Sequence, residues 1–279
     1  MMASFREFRG NEGWTSEAWK TLCKVREVAP LVQCITNFVS MDIMANTLLA
    51  VGASPAMVHA VEEISEFTAI ANALCINIGT LSPEWIFSMK AAAVRANELN
   101  KPWVLDPVGV GASRFRTERC LELIALRPAV IRGNASEIMA VVGATIAPSK
   151  GVDSSHSSTD ALEAAKDLAK KSQCIVAVSG AVDLVTDGKR VLGVSNGVPL
   201  MQRITATGCA VTALIAAFVS INPGRPLELA AFVLALFGLS GEIGLERASG
   251  PASLRTNMLD ALYGLDEGTV LSRIRIAQI

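Results

Sequence analysis

Apolar positions along this chain alternate between two patterns. Short, near-continuous runs recur at LVQCI (31–35), PAMVH (55–59), CINIG (75–79), PWVLD (102–106), AVIRG (129–133) and CIVAVSG (174–180). Runs of that length, apolar without alternation, predict strands buried on both faces. Between most of them lie helical patterns, such as PEWIFSMKAAAVRANEL (83–99), with Pro83 where a first-turn proline is tolerated. An earlier helix is expected to open near Thr15, with Trp19, Leu22, Cys23 and Val25 on one side. Strand–helix alternation of this kind predicts an α/β fold with a parallel sheet covered on both faces.

After CIVAVSG the pattern changes. VDLVTDGKRVLGVSNG carries turn signals at Asp187-Gly188 and Asn196-Gly197 and reads as two short antiparallel strands. Two very apolar helical runs follow, 209–221 and 229–241, separated by the turn NPGRP, and then a helical C-terminal third. Each run is shorter than the roughly 20 residues that span a bilayer, so both are expected as buried helices. The polar stretch 148–159, PSKGVDSSHSST, reads as a surface loop. Neither an internal repeat nor a dividing linker is visible, and one domain over 1–279 is expected.

Composition narrows the function classes. The 279 residues are 51% hydrophobic and 18% charged, with a net charge of −1 and no basic stripe. Nucleic acid is therefore not an expected partner, since phosphate neutralisation dominates that affinity. The first residues, MMASFREFRGNEGW, match neither a signal nor a transit peptide. Six scattered cysteines without CxxC spacing read as reduced, mostly buried thiols, and a cytosolic setting is expected.

Ligands of open parallel sheets bind beyond the carboxyl ends of the strands. The polar residues placed there are Thr36-Asn37, Met57-His59, Gly79-Thr80, Asp106, Arg132-Gly133-Asn134 with Glu137, Ser179-Gly180, and TATGC (205–209). Asn134 and Glu137, in NASE, share one face of a helix start, where they either hold hydrated Mg²⁺ or close a capping box. Asp106 ends an apolar strand before Pro107 and either orients a metal or caps the turn. Arg132 either neutralises phosphate or pairs with Asp106 or Glu137. Ser179 either donates to phosphate or caps a turn. The small residues before the 209–221 helix suit an anion at a helix N-terminus. The same field is expected to lower the pKa of Cys209, which would favour a nucleophile. The two histidines, His59 and His156, offer no evident base for it.

The NxxE pattern and the TATGC cup opening an apolar helix resemble the ribokinase-like fold. The blocks QCITNFVSMDIMANTLLAVGASPAMVHAVEE, NIGTL, LDPVGVGASRFRTE, IRGNASEI and TATGC further resemble the hydroxyethylthiazole kinases, in order from about residue 30 to about residue 260. That resemblance implies a three-layer fold with a mostly parallel central sheet and no separate lid. It also implies MgATP-dependent phosphorylation of a thiazole alcohol, and a homotrimer with active sites between subunits. By the same resemblance, Asn37, Met57, Gly79, Ala206 and Gly208 lie on the substrate side, and Arg132, Ser179 and Thr207 contact ATP. Asp106, Asn134 and Glu137 serve Mg²⁺ and phosphate, and Cys209 stands where most ribokinase-like enzymes place an aspartate base. The first 29 residues precede the matching blocks. Three rival readings stay open: a kinase of a pyrimidine or pyridoxal-like alcohol, a thiol-dependent acyl transferase or hydrolase centred on Cys209, and a non-catalytic binder that keeps the fold.

Overall fold

The computed structural model describes residues 12–146 and 161–279. Residues 1–11 and the whole Ser-rich stretch 148–159, with His156, lie outside the described residues. The chain opens with α1 (Glu12–Val28), β1 (Leu31–Ile35), α2 (Met41–Ala50), β2 (Ser54–Met57), α3 (Val61–Ile70) and β3 (Ala73–Asn77). It continues through α4 (Pro83–Glu98), β4 (Trp103–Asp106), α5 (Arg114–Ile124), β5 (Val130–Asn134), α6 (Ala135–Ile146), α7 (Leu162–Ser172) and β6 (Ile175–Ser179). These six strands pair in parallel in the order β2-β1-β3-β4-β5-β6. The expected strands are all present, shifted at their ends by one or two residues.

Successive side chains on a strand face opposite ways, and both faces of this sheet are covered. Val32, Cys34, Ala73, Cys75, Val104 and Val130 join one core, and Ile35, Leu74, Ile76, Leu105 and Ile131 join the other. That is why the strands read as unbroken apolar runs. On α1 the buried line is Ala18, Leu22 and Val25, while Cys23 is exposed, contrary to the expected stripe. Spacings of four and three keep 18, 22 and 25 on one side; position 23 lies a third of a turn away. The helix is already formed at Glu12, ahead of the cap expected near Thr15.

β7 (Asp183–Thr186) and β8 (Val191–Val194) extend the sheet antiparallel to β6, as the turn signals predicted. A 3₁₀ turn (Pro199–Arg203) then leads into α8 (Thr207–Ile221), α9 (Pro226–Leu245), α10 (Pro251–Tyr263) and α11 (Glu267–Arg273). A ninth strand, β9 (Ile276–Gln278), pairs with β8 and was not expected. The second apolar run proves to be part of a 20-residue helix, long and apolar enough by composition to cross a membrane. Within the fold, 83% of its most apolar window is buried. α9 is a core helix.

Candidate active site

Strand order reverses at β1, which has β2 on one side and β3 on the other, so a crevice opens beyond the carboxyl ends of β1 and β3. Asn37, just past β1, and Asn77, the last residue of β3, meet there. Asn37 Nδ2 donates to Asn77 Oδ1 at 2.8 Å, and Asn77 Nδ2 donates to Asp106 Oδ2 at 2.7 Å. Thr212 Oγ1, on α8, lies 3.1 Å from the same carboxylate oxygen and 3.0 Å from Gly208 O, and its single proton is shared between them. All four residues are buried. Asn37 Oδ1 accepts from Val39 N and Ser40 N, and its Nδ2 reaches Cys209 Sγ at 3.5 Å. The hydrogen-bonding capacity of this amide is therefore used up within the protein. Gly79 stands against it: an added Cβ would lie 2.7 Å from Asn37 Cβ.

Burial pushes the Asp106 carboxyl up to about 7; Arg132 opposes the rise, Glu137 adds to it, and the Thr212 and Asn77 hydrogen bonds hold it down. Its Oδ1 is buried without a hydrogen-bond partner among the described residues. Arg132, also buried, forms no ion pair with Asp106 or Glu137. Its Nε instead donates to Ser179 Oγ at 3.0 Å, a bond that leaves the serine hydroxyl free to donate in turn.

NASE forms the capping box. Asn134 Oδ1 accepts from Glu137 N at 2.9 Å, and Glu137 Oε2 accepts from Asn134 N at 2.8 Å. Glu137 Oε1 accepts from Gly109 N at 3.0 Å, tying the turn after β4 to the start of α6. Each carboxylate oxygen keeps a further lone pair.

Ala206, at φ +60°, is the N-cap of α8, and Thr207 Oγ1 donates back to Ile204 O at 3.3 Å. Gly208 is where Arg132 comes closest: a Cβ there would sit 2.5 Å from a guanidinium nitrogen. A side chain there would push the guanidinium away from the N-terminus of α8. A cleft of about 450 Å³ opens beside it, lined by Arg132, Ser179, Asp183, Asn196, Thr207 and Gly208, among others. Its far wall is buckled by Glu242, whose Oε1 accepts from Gly197 N at 2.9 Å and from Arg275. Arg275 N donates to Asn196 Oδ1 at 2.7 Å.

The lowered pKa expected for Cys209 is not what the structure gives. Burial pushes the thiol up to about 11 and Asp106 raises it further; hydrogen bonds from Asn37 and Asn77 and the charge of Arg132 only partly offset this. Desolvation outweighs the field of the helix N-terminus, so the group is a protonated thiol at neutral pH. The one histidine among the described residues, His59, stacks on Trp85, ring centroids 4.4 Å apart. The nucleophile reading loses its chemistry.

The structure brings Asn37, Gly79, Asp106 and Cys209 together, and beside them Arg132, Ser179, Thr207 and Gly208. Met57 is half-buried on the edge strand β2, in register with Cys34, and makes no hydrogen bond to either group. Asn77 and Thr212 were missed. Thr212 follows Cys209 at i+3 in an apolar helix, a spacing that shares a face, and that was the available signal.

The sequence profile of the hydroxyethylthiazole kinase family matches residues 22–268. A hydroxyethylthiazole kinase of Arabidopsis thaliana is 59% identical over 266 residues, covering 95% of this chain and 96% of its own. A solved hydroxyethylthiazole kinase from Pyrococcus horikoshii superposes with a TM-score of 0.88 at 40% identity, covering 95% and 99% of the two chains. A ribokinase-like superfamily protein from Enterococcus faecalis, 13% identical, shares the fold alone, at a TM-score of 0.58 over 83% of this chain and 86% of its own. The buried polar chain, the cleft and the fold thus occur in a chain that belongs to the hydroxyethylthiazole kinase family.

Proposed function

We propose that this protein transfers the γ-phosphoryl group of ATP to the primary alcohol of 4-methyl-5-(2-hydroxyethyl)thiazole, in thiamine biosynthesis or salvage. The observation that carries the site assignment is Arg132 lying against Gly208 at the N-terminus of α8, between the cleft and Asp106. Nucleotide occupies the cleft. Arg132, the Ser179 hydroxyl and the backbone N–H groups opening α8 converge on its phosphates. The alcohol lies on the Asn37–Cys209 side, with Met57 and Gly79 as walls.

The residues present suit Mg²⁺. It commonly takes one or two carboxylates and keeps waters and phosphate oxygens for the rest. Asp106, with its unpartnered Oδ1, and Glu137 supply two carboxylates, with Asn134 beside them. When bound, the ion supplies charge neutralisation on the transferring phosphoryl group.

Phosphoryl transfer passes through a loose transition state, so positioning and charge stabilisation supply most of the catalysis. A protonated Cys209 thiol serves in that setting by shaping the alcohol pocket. It is not required as a thiolate.

The protein acts as one domain and assembles as a homotrimer with sites between subunits. Support comes from Phe38, Val39 and Phe87, exposed at 70%, 60% and 64% beside the alcohol side of the rim. Six unpaired cysteines suit a reducing, cytosolic compartment.

The test is mass spectrometry of hydroxyethylthiazole incubated with the protein and MgATP, beside hydroxymethylpyrimidine and an EDTA control. Phosphate on the thiazole alone, and only with Mg²⁺, is expected. Phosphate on the pyrimidine instead overturns the pocket assignment, and no product from either overturns the kinase reading.

A further inference from the structure

Asn77 carries chemistry that neither its place in an apolar strand nor the substrate contacts above account for. Its side chain is fully buried, and every polar atom of its amide has a defined partner. Oδ1 accepts from Asn37 Nδ2 at 2.8 Å and from Gly79 N at 2.9 Å, and Nδ2 donates to Asp106 Oδ2 at 2.7 Å. The orientation of this amide follows from chemistry: the Gly79 N–H can only donate, so Oδ1 faces it and Nδ2 is left facing Asp106. Turning it over would break all three bonds.

Two consequences follow. Asn37 is held with its nitrogen toward Asn77 and Cys209. Asp106 is held by one oxygen, since Asn77 and Thr212 both donate to Oδ2 while Oδ1 has no partner among the described residues. Asn77 thus decides which carboxylate oxygen is left available, and it joins the alcohol side of the site to the phosphate side.

Resting on the kinase reading above, we infer that Asn77 is a positioning residue for phosphoryl transfer, whose amide sets the placement of Asn37 and Asp106 relative to one another without touching either substrate. A group of this kind acts on turnover more than on affinity, because a displacement of about 1 Å among reacting groups costs on the order of 100-fold in rate. The nucleotide cleft has its own anchors, Arg132 and Ser179, and Asn77 makes no bond to them.

The experiment measures kcat, KM for the thiazole and Kd for a non-hydrolysable ATP analogue in wild type, Asn77→Ala, Thr212→Val and the double variant, with thermal unfolding of each. For Asn77→Ala the expectation is a kcat lower by about 100-fold and a nucleotide Kd within about threefold of wild type. The double variant is expected to lose less than the product of the two single losses, because both side chains act on one oxygen. Asn77→Asp keeps the shape and the acceptor for Asn37 but sets carboxylate against carboxylate. It is read in the same way should the alanine variant not fold, with the same loss of kcat expected.

A kcat within threefold of wild type, losses that multiply in the double variant, or a loss of nucleotide binding that matches the loss of kcat each overturn the inference. If wild type leaves the thiazole unphosphorylated, the kinase reading falls and takes this inference with it. An active wild type beside an unimpaired Asn77 variant removes the inference alone.

Discussion

From the alcohol side inward, Asn37, Asn77, Asp106 and Thr212 form a closed chain of hydrogen bonds in which one carboxylate oxygen alone lacks a partner. On the nucleotide side, Arg132 and Ser179 bond to each other and face an open cleft. The first region meets its polar needs during folding, so its groups are in place before substrate arrives. The second keeps a cation, a hydroxyl and a helix N-terminus for a ligand to satisfy. A phosphotransfer enzyme needs both kinds of construction, because the transition state rewards fixed geometry while the nucleotide must enter and leave.

The sharpest way to break this contrast is Asp106→Asn, which removes the one uncompensated charge of the closed region. Turnover is expected to fall by about 1,000-fold, in the range seen when a group stabilising transition-state charge is lost. Stability should move the other way, and pH gives the sign. The buried carboxyl titrates near 7 in the fold against an ordinary value near 4, so the folded state holds the extra proton and the native carboxylate erodes stability as pH rises from about 4 to about 7. The variant should therefore melt higher than wild type at pH 8 and by a smaller margin at pH 5. An equal shift at both pH values would contradict that account.

On the open side, Gly208→Ala places a methyl group where Arg132 now lies. Displacing the guanidinium should raise KM for ATP by about 10- to 100-fold, since a charge-assisted contact contributes about 1.5–3 kcal/mol. KM for the thiazole should change little. If both rise together, the two sides are not built independently.

Cys209→Ser should lower kcat by about 10-fold at most, less than the loss from Glu137→Gln, because base catalysis is a minor part of this chemistry. Alkylation of Cys209 should be slow at pH 7.5 and quicken toward pH 10 as the thiolate forms. Fast labelling at neutral pH would restore the thiolate reading. The smallest effect is expected from Glu242→Gln, which loosens the far wall of the cleft: KM for ATP up by a few-fold, kcat unchanged, read by steady-state kinetics.

The parallel strands and their helices were legible because burial on both faces writes a continuous apolar signal. β9 was not, since Ile276–Gln278 is three residues with a non-local partner, β8. Most site residues were legible by their place after a strand, and the hydroxyethylthiazole kinase blocks carried the rest. Asn77 escaped because one amide in CINIG looks like an interruption of a strand; its meaning depends on neighbours 40 residues upstream and 29 downstream. Cys209 was misjudged for a related reason. Sequence shows that the thiol opens a helix, but not how far from water that helix begins.

The buckle between Arg275 and Glu242 also ties the cleft to the end of the sheet. Arg132, Ser179 and the start of α8 come earlier in the chain, but the Asn196–Gly197 wall is held by residues 242 and 275 and by the pairing of β9. Without residues 242–278 the cation would stand beside a cleft that lacks its far wall. The far wall of the cleft thus rests on the last strand of the sheet.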